Sequence, residues 1–106
     1  MCGITGIVAF SDNSLPALGR IESATAALEK RGPDASGTFA HEKCRLGHRR
    51  LSVIDITDAG AQPYFDATGR YAIVFNGEFF NFKEHRRKLQ EQGHAFQSES
   101  DTEVLL

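Results

Sequence analysis

The sequence predicts an α+β chain forming one domain or the front part of one, and three observations carry this. An N-terminal run, "MCGITGIVAF", places Ile, Val and Phe in a short β-rich stretch. A following segment repeats apolar residues at three-four spacing, as an amphipathic helix does. Further β-rich runs then precede a charged helical stretch near the C-terminus. The 106 residues fall within the range of a single domain and are too few for two. A chain of this size buries roughly 60–70% of its unfolded surface, so one modest core is expected.

In order, the first strand is expected over Ile4 to Phe10 and ends at "SDNS". A helix is expected from about Leu15 to Lys30, with Ser14 as N-cap and Pro16 in the first turn, where a missing N–H costs nothing. Leu18, Ile21, Thr25 and Leu28 share its apolar face. Gly32 and Pro33 in "RGPDASG" stop it. Strands follow at 36–41 and 44–50, then a loop through "TDAGAQPYFDATG". "YAIVFNGEFFNF" reads as two β-rich runs around Asn76-Gly77, the strongest local signal for a two-residue hairpin turn. A charged helix runs from Lys83 to about Gln92 and closes at Gly93. Ser100 to Glu103, "SDTE", is a capping-box pattern opening an apolar helix of which about one turn is present. Isolated helices become marginally stable only near 12–15 residues, so the chain reads as the front of something longer.

Composition excludes several classes. Charged residues are 25% and hydrophobic ones 41%, with a formal net charge of −2, so neither nucleic acid nor a membrane surface is indicated. The clusters His48-Arg49-Arg50 and Arg86-Arg87-Lys88 are too short for an electrostatic footprint. No apolar stretch approaches the roughly 18–20 residues of a membrane span, and no basic region precedes the N-terminal run as in a signal peptide. The cytoplasm is the expected compartment, with Cys2 and Cys44 reduced.

Few residues could carry chemistry. Initiator methionine is usually trimmed before a small side chain, which would give Cys2 a free α-amine beside its thiol. An α-amine titrates near about 7.7–8.0 and a thiol near about 8.5, so nucleophile and base would reside on one residue. Equally, Cys2 can be a small residue entering a strand, since free cysteines are usually buried and inert. Beside the hairpin reading, Asn76 and the N–H of Gly77 can serve as an oxyanion hole, and a turn would display both donors. Arg50 has the planar fork for a carboxylate, or is a surface arginine like its neighbour. Glu78 and Asp101 suit an ammonium, or are solvated carboxylates; Asp101 also suits the first turn of a helix. His41, Cys44, His48 and Cys2 match no strong zinc spacing, and "GITG" is no phosphate loop, so no metal is expected.

Taken together, "MCGI" with Gly6, "RGPD" (31–34), "HRRLSVID" (48–55), "GAQP" (60–63), "NGEFFN" (76–81) and "SDTEVLL" (100–106) closely resemble the class II glutamine amidotransferases. More narrowly, they resemble the glutaminase domain of glutamine-hydrolysing asparagine synthetases. The resemblance spans essentially the whole chain. It implies the N-terminal nucleophile αββα sandwich with antiparallel sheets, of which 1–106 would be the N-terminal part, a glutaminase domain incomplete at its C-terminus.

The resemblance also implies roles. Cys2 would attack the side-chain amide of L-glutamine, giving a thioester that water resolves to glutamate. Asn76 and Gly77 would stabilise the oxyanion. Arg50 would hold the substrate carboxylate, Glu78 and Asp101 its ammonium, and Leu51, Ser52, Val53 and Ile54 would line the pocket with backbone groups. "RGPD" is implied to be a structural loop packed near the nucleophile. No cofactor is expected in this chain; ATP and Mg2+ belong to the synthetase domain that receives ammonia in the family. The resemblance admits a homodimer of the full-length enzyme, a related amidotransferase with another acceptor, and a non-catalytic glutamine-binding remnant. Relatives often read "NGEIYN", so Phe80 here lacks a tyrosine hydroxyl.

Overall fold

The computed structural model describes residues 1–52 and 57–106. Strands β1 (Gly3–Val8), β2 (Ala35–His41) and β3 (Cys44–Arg50) form an antiparallel sheet in the order β1-β3-β2. The short turn between β2 and β3 fixes their register, with His41 opposite Cys44 and Ala35 opposite Arg50. In the other pair Gly3 faces Arg49 and Val8 faces Cys44. This register carries the residue before Gly3 to the C-terminal end of β3. Cys2 therefore meets Leu51 because of strand pairing.

Side chains alternate between the two faces of a sheet, and here each face has its own cover. The predicted long helix is instead a 3-10 helix over Asp12–Arg20, with Pro16 inside it, followed by a short α-helix, α1 (Ile21–Ala26), and turns. Ser14 lies within the 3-10 helix; the position before it is taken by Ser11, whose Oγ meets Ser14 Oγ at 3.0 Å. The apolar face is nonetheless as expected: Leu18, Ile21 and Thr25 are buried and Leu28 packs over Gly3. Glycine at 47 permits this approach, since a Cβ there would lie 2.0 Å from Thr25 Oγ1.

On the opposite face, Phe39 of β2 meets Phe65 edge-on, with centroids 5.1 Å apart. Phe65 belongs to a second, two-stranded antiparallel sheet of β4 (Tyr64–Phe65) and β5 (Ala72–Ile73). Beyond it lie α2 (Phe82–Glu91), followed by Gly93 at φ +95°, and α3 (Asp101–Leu105). The buried guanidinium of Arg86 on α2 holds the Ser98 carbonyl, pairs with Glu99 at 3.3 Å and stacks 4.7 Å from the Phe96 ring centre. These contacts anchor the loop that aims α3. The architecture is α+β with antiparallel sheets, as expected.

Two local expectations are corrected. "YAIVFNGEFFNF" is not a hairpin around Asn76-Gly77: its only strand residues are Ala72–Ile73, paired with β4. Gly77 does not take the positive φ a type I′ turn requires, and the backbone of Phe75 is bonded to side chains instead. The "SDTE" box closes on one side only. Ser100 caps α3 by accepting the Thr102 N–H, but Glu103 turns to the N–H groups of Gln97 and Ser98 at 2.8 and 2.7 Å. The Ser100 N–H goes to Ser98 Oγ instead.

His48, 1% exposed, sets a pH limit on this fold. Its Nε2 lies 3.3 Å from the Phe75 carbonyl, which can only accept, so Nε2 carries the proton of a neutral ring. Burial holds the His48 pKa below the usual range; the Phe75 bond opposes this and the Arg50 charge adds to it. The unfolded chain then binds a proton near pH 6.5 that the folded chain refuses. Stability is expected to fall as pH drops through about 6.5 toward the lowered folded value. Chemical denaturation at descending pH checks this, and His48→Gln should flatten that part of the curve. Glu103 acts in a more acid window: burial pushes its pKa up, but hydrogen bonds led by the Ser98 hydroxyl hold it below the usual range, so its contribution is lost only near and below the carboxylate range.

Candidate active site

A cavity of about 330 Å³ opens where the N-terminus, the end of β3 and the start of α3 converge. Cys2 forms one wall, Arg50 and Leu51 a second, Asn76, Gly77 and Glu78 a third, and Asp101 with its helix neighbours a fourth. Seven of the residues singled out from the sequence thus share one cavity, drawn from segments up to 99 positions apart.

The Cys2 thiol is half-buried and tied to one residue. Its Sγ accepts the Leu51 N–H at 3.3 Å and points to the Leu51 carbonyl at 3.6 Å. A thiolate at this position would keep the first contact, a donor aimed at its charge. Met1 is 80% exposed and stands at the cavity edge. While Met1 is attached, the Cys2 nitrogen is an amide and cannot serve as a base.

Arg50 is 8% exposed at the end of β3. Its Nη1 donates to the Thr57 carbonyl at 2.7 Å, which fixes the plane of the fork, and its other donors have no partner among the described residues. Asp101 is 5% exposed; its Oδ2 accepts the Phe79 N–H at 2.9 Å and Oδ1 is unengaged among the described residues. Glu78 is exposed at the rim. Neither the Asn76 amide nor the Gly77 N–H has a hydrogen-bond partner among the described residues. Both can be offered to a ligand. A side chain at 77 would strike the Phe75 ring, 2.8 Å from an added Cβ.

The pocket-lining stretch divides. Leu51 lines the cavity, whereas Ser52 does not: its N–H is drawn to Asp34 Oδ2 at 2.8 Å. Val53 and Ile54 lie outside the described residues. The four residues weighed for zinc are not brought together, because His41 and Cys44 sit at the far end of the sheet from Cys2. Among the described residues no cluster of three or more His, Cys, Asp or Glu could hold a metal.

The family resemblance implied that "RGPD" packs near the nucleophile, but not what its residues bond. Arg31 Nε donates to the Cys2 carbonyl at 3.2 Å, and the Asp34 N–H donates to the Arg50 carbonyl at 3.0 Å. The loop therefore fixes the backbone on both sides of the thiol. The available signal was side-chain chemistry: the Arg31 guanidinium and the Asp34 carboxylate, flanking a Gly-Pro stop, can bond backbone that no strand completes, here the Cys2 carbonyl and the Ser52 N–H. Gln62 of "GAQP" also lines the cavity and was given no role.

The glutamine amidotransferase domain model matches residues 1–106, the entire chain. Among curated relatives, asparagine synthetase [glutamine-hydrolyzing] 3 of Bacillus subtilis (strain 168) is 42% identical over 110 residues, covering 100% of this chain and 17% of that protein. Asparagine synthetase [glutamine-hydrolyzing] 2 of Arabidopsis thaliana is 41% identical over 105 residues, 99% of this chain and 18% of its own length. The asparagine synthetase [glutamine-hydrolyzing] of Zea mays is 40% identical over 105 residues, with 99% and 17% covered. The chain thus spans less than a fifth of the length of these relatives. No helix among the described residues is long and apolar enough to cross a membrane. With a model that matches from end to end and relatives similar throughout, the chain belongs to the glutamine amidotransferase domain family.

Proposed function

We propose that this chain binds L-glutamine and hydrolyses its side-chain amide to glutamate and ammonia through a thioester on Cys2. The observation that carries the reading is the charge inventory of one cavity. Free glutamine presents a carboxylate, an ammonium and a reactive amide. The walls offer an arginine fork, two carboxylates, a thiol, and N–H donors on Asn76 and Gly77 that have no partner among the described residues. A volume of about 330 Å³ suits a small ligand.

The chemistry then follows. Loss of Met1 frees the Cys2 α-amine, which takes the thiol proton. The thiolate attacks the amide carbon, and the oxyanion is met by the Asn76 side chain and the Gly77 N–H. The amine returns the proton to the departing nitrogen as the C–N bond breaks, leaving ammonia and a thioester. Water, deprotonated by the same amine, attacks the thioester, and glutamate leaves as the thiol reforms. Arg50 grips the α-carboxylate, with Asp101 and Glu78 on the α-ammonium, so the amide is presented to sulfur.

The relatives' names, which join glutamine hydrolysis to asparagine synthesis, support extending this to the intact protein, in which ammonia would pass to a synthetase domain. The family resemblance would make that domain ATP- and Mg2+-dependent, converting aspartate to asparagine, with the cytoplasm as the expected compartment. The test is direct. Intact protein supplied with L-glutamine should release glutamate and ammonia in equal amounts. Absence of glutamate above the uncatalysed level would refute the proposal.

A further inference from the structure

Phe75 stands where a hairpin strand was expected, yet its backbone is held by side chains. Gln62 Oε1 accepts its N–H at 2.6 Å, while His48 Nε2 bonds its carbonyl at 3.3 Å. Because the Phe75 N–H needs an acceptor, Oε1 must face it and Nε2 must face the other way. That Nε2 donates to Thr102 Oγ1 at 3.2 Å, and Thr102 is 2% exposed. Its neighbour Asp101 accepts the Phe79 N–H. The arch from Phe75 to Phe79 is therefore pinned at both ends, and the pins are joined through Thr102. Strung between them are Asn76, Gly77 and Glu78.

We infer that Gln62 is a positioning residue for glutamine hydrolysis, setting the Asn76–Gly77 donors relative to the Asp101 carboxylate by bonding Phe75 and Thr102 at once. The inference rests on the glutaminase reading above. A single amide suits the task because it accepts on one side and donates on the other, whereas a carboxylate only accepts and an ammonium only donates. Gln62 does not act on the substrate itself. It acts through where it holds the arch.

Gln62→Met keeps the length and removes both bonds. In intact protein, with rates normalised to Cys2 titrated by a glutamine-mimicking electrophile, kcat should fall about tenfold, since misplacement of about an ångström can cost up to about a hundredfold. KM should change by less than about threefold. If Gln62 acts through the arch, the same substitution should cost at least about twofold less in an Asn76→Ala background than in the parent, because one of the two donors it aims is already gone. A general weakening of the fold would cost the same in both backgrounds. An equal loss in both, or a kcat within about twofold of the parent, would overturn the inference. Should Gln62→Met fail to fold, Thr102→Val cuts the same chain at its other end. It is expected to lower kcat at least about threefold with KM changed by less than about threefold, and an unchanged kcat would overturn the inference. A parent protein that releases no glutamate overturns the glutaminase reading and this inference with it; an active parent with a silent Gln62→Met overturns the inference alone.

Discussion

Cys2→Ala is expected to abolish glutamine hydrolysis, lowering kcat at least about 10⁴-fold, because no other described residue lining the cavity carries a thiol to form the thioester. Cys44, the other cysteine, lies at the far end of β3 and cannot substitute. Structure should survive the change. Among the described residues the lost contacts are the two between Sγ and Leu51, and a hydrogen bond of this kind contributes on the order of 1 kcal/mol. Glutamine should still bind, since Arg50, Glu78 and Asp101 are untouched. Steady-state assay beside calorimetric titration with glutamine checks both halves. Binding retained with turnover lost is the expected pair, and residual turnover within a hundredfold of the parent would remove Cys2 from the mechanism.

Asn76→Ala carries the second largest effect. Its amide has no partner among the described residues, so its donor is available for charge that develops only in the transition state. Removal of one such donor typically costs about 10²–10³ in kcat, about 3 kcal/mol of barrier. KM should move little, because the ground-state amide gains little from that contact. A kcat loss below about fivefold, or a loss expressed wholly in KM, would place Asn76 outside the oxyanion site.

The candidate residues were easier to single out than the conformation of the segment that carries them. Cys2, Arg50, Asn76, Gly77, Glu78 and Asp101 stood out because each is a residue type whose chemistry survives without context and their order along the chain resembles a family pattern, and the structure brings them to one cavity. The conformation around Asn76 was not legible in the sequence. Asn-Gly between β-rich runs predicts a hairpin from local terms alone, whereas the Phe75 backbone is claimed by His48 and Gln62, residues 27 and 13 positions away. Contacts of that range leave no periodic trace. Glu103 was misread for the same reason. The capping box looks three residues back to Ser100, but Arg86 on α2 bends residues 98 and 99 into place, and the Gln97 and Ser98 N–H groups take the carboxylate first. The helix after β1 shows the opposite case. Its apolar face was correct although much of it is 3-10, since burial of Leu18, Ile21 and Thr25 against the sheet depends on which side they face more than on helix type.

The central claim is that Cys2 becomes residue one and is the nucleophile. Intact-mass measurement of the protein before and after reaction with a glutamine-mimicking electrophile tests it most directly. The account predicts a chain lighter by one methionine residue, taking up one equivalent of label that maps to Cys2, with excess L-glutamine protecting against uptake. Retained Met1 in protein that hydrolyses glutamine, or label carried by Cys44 while Cys2 stays free, would contradict it.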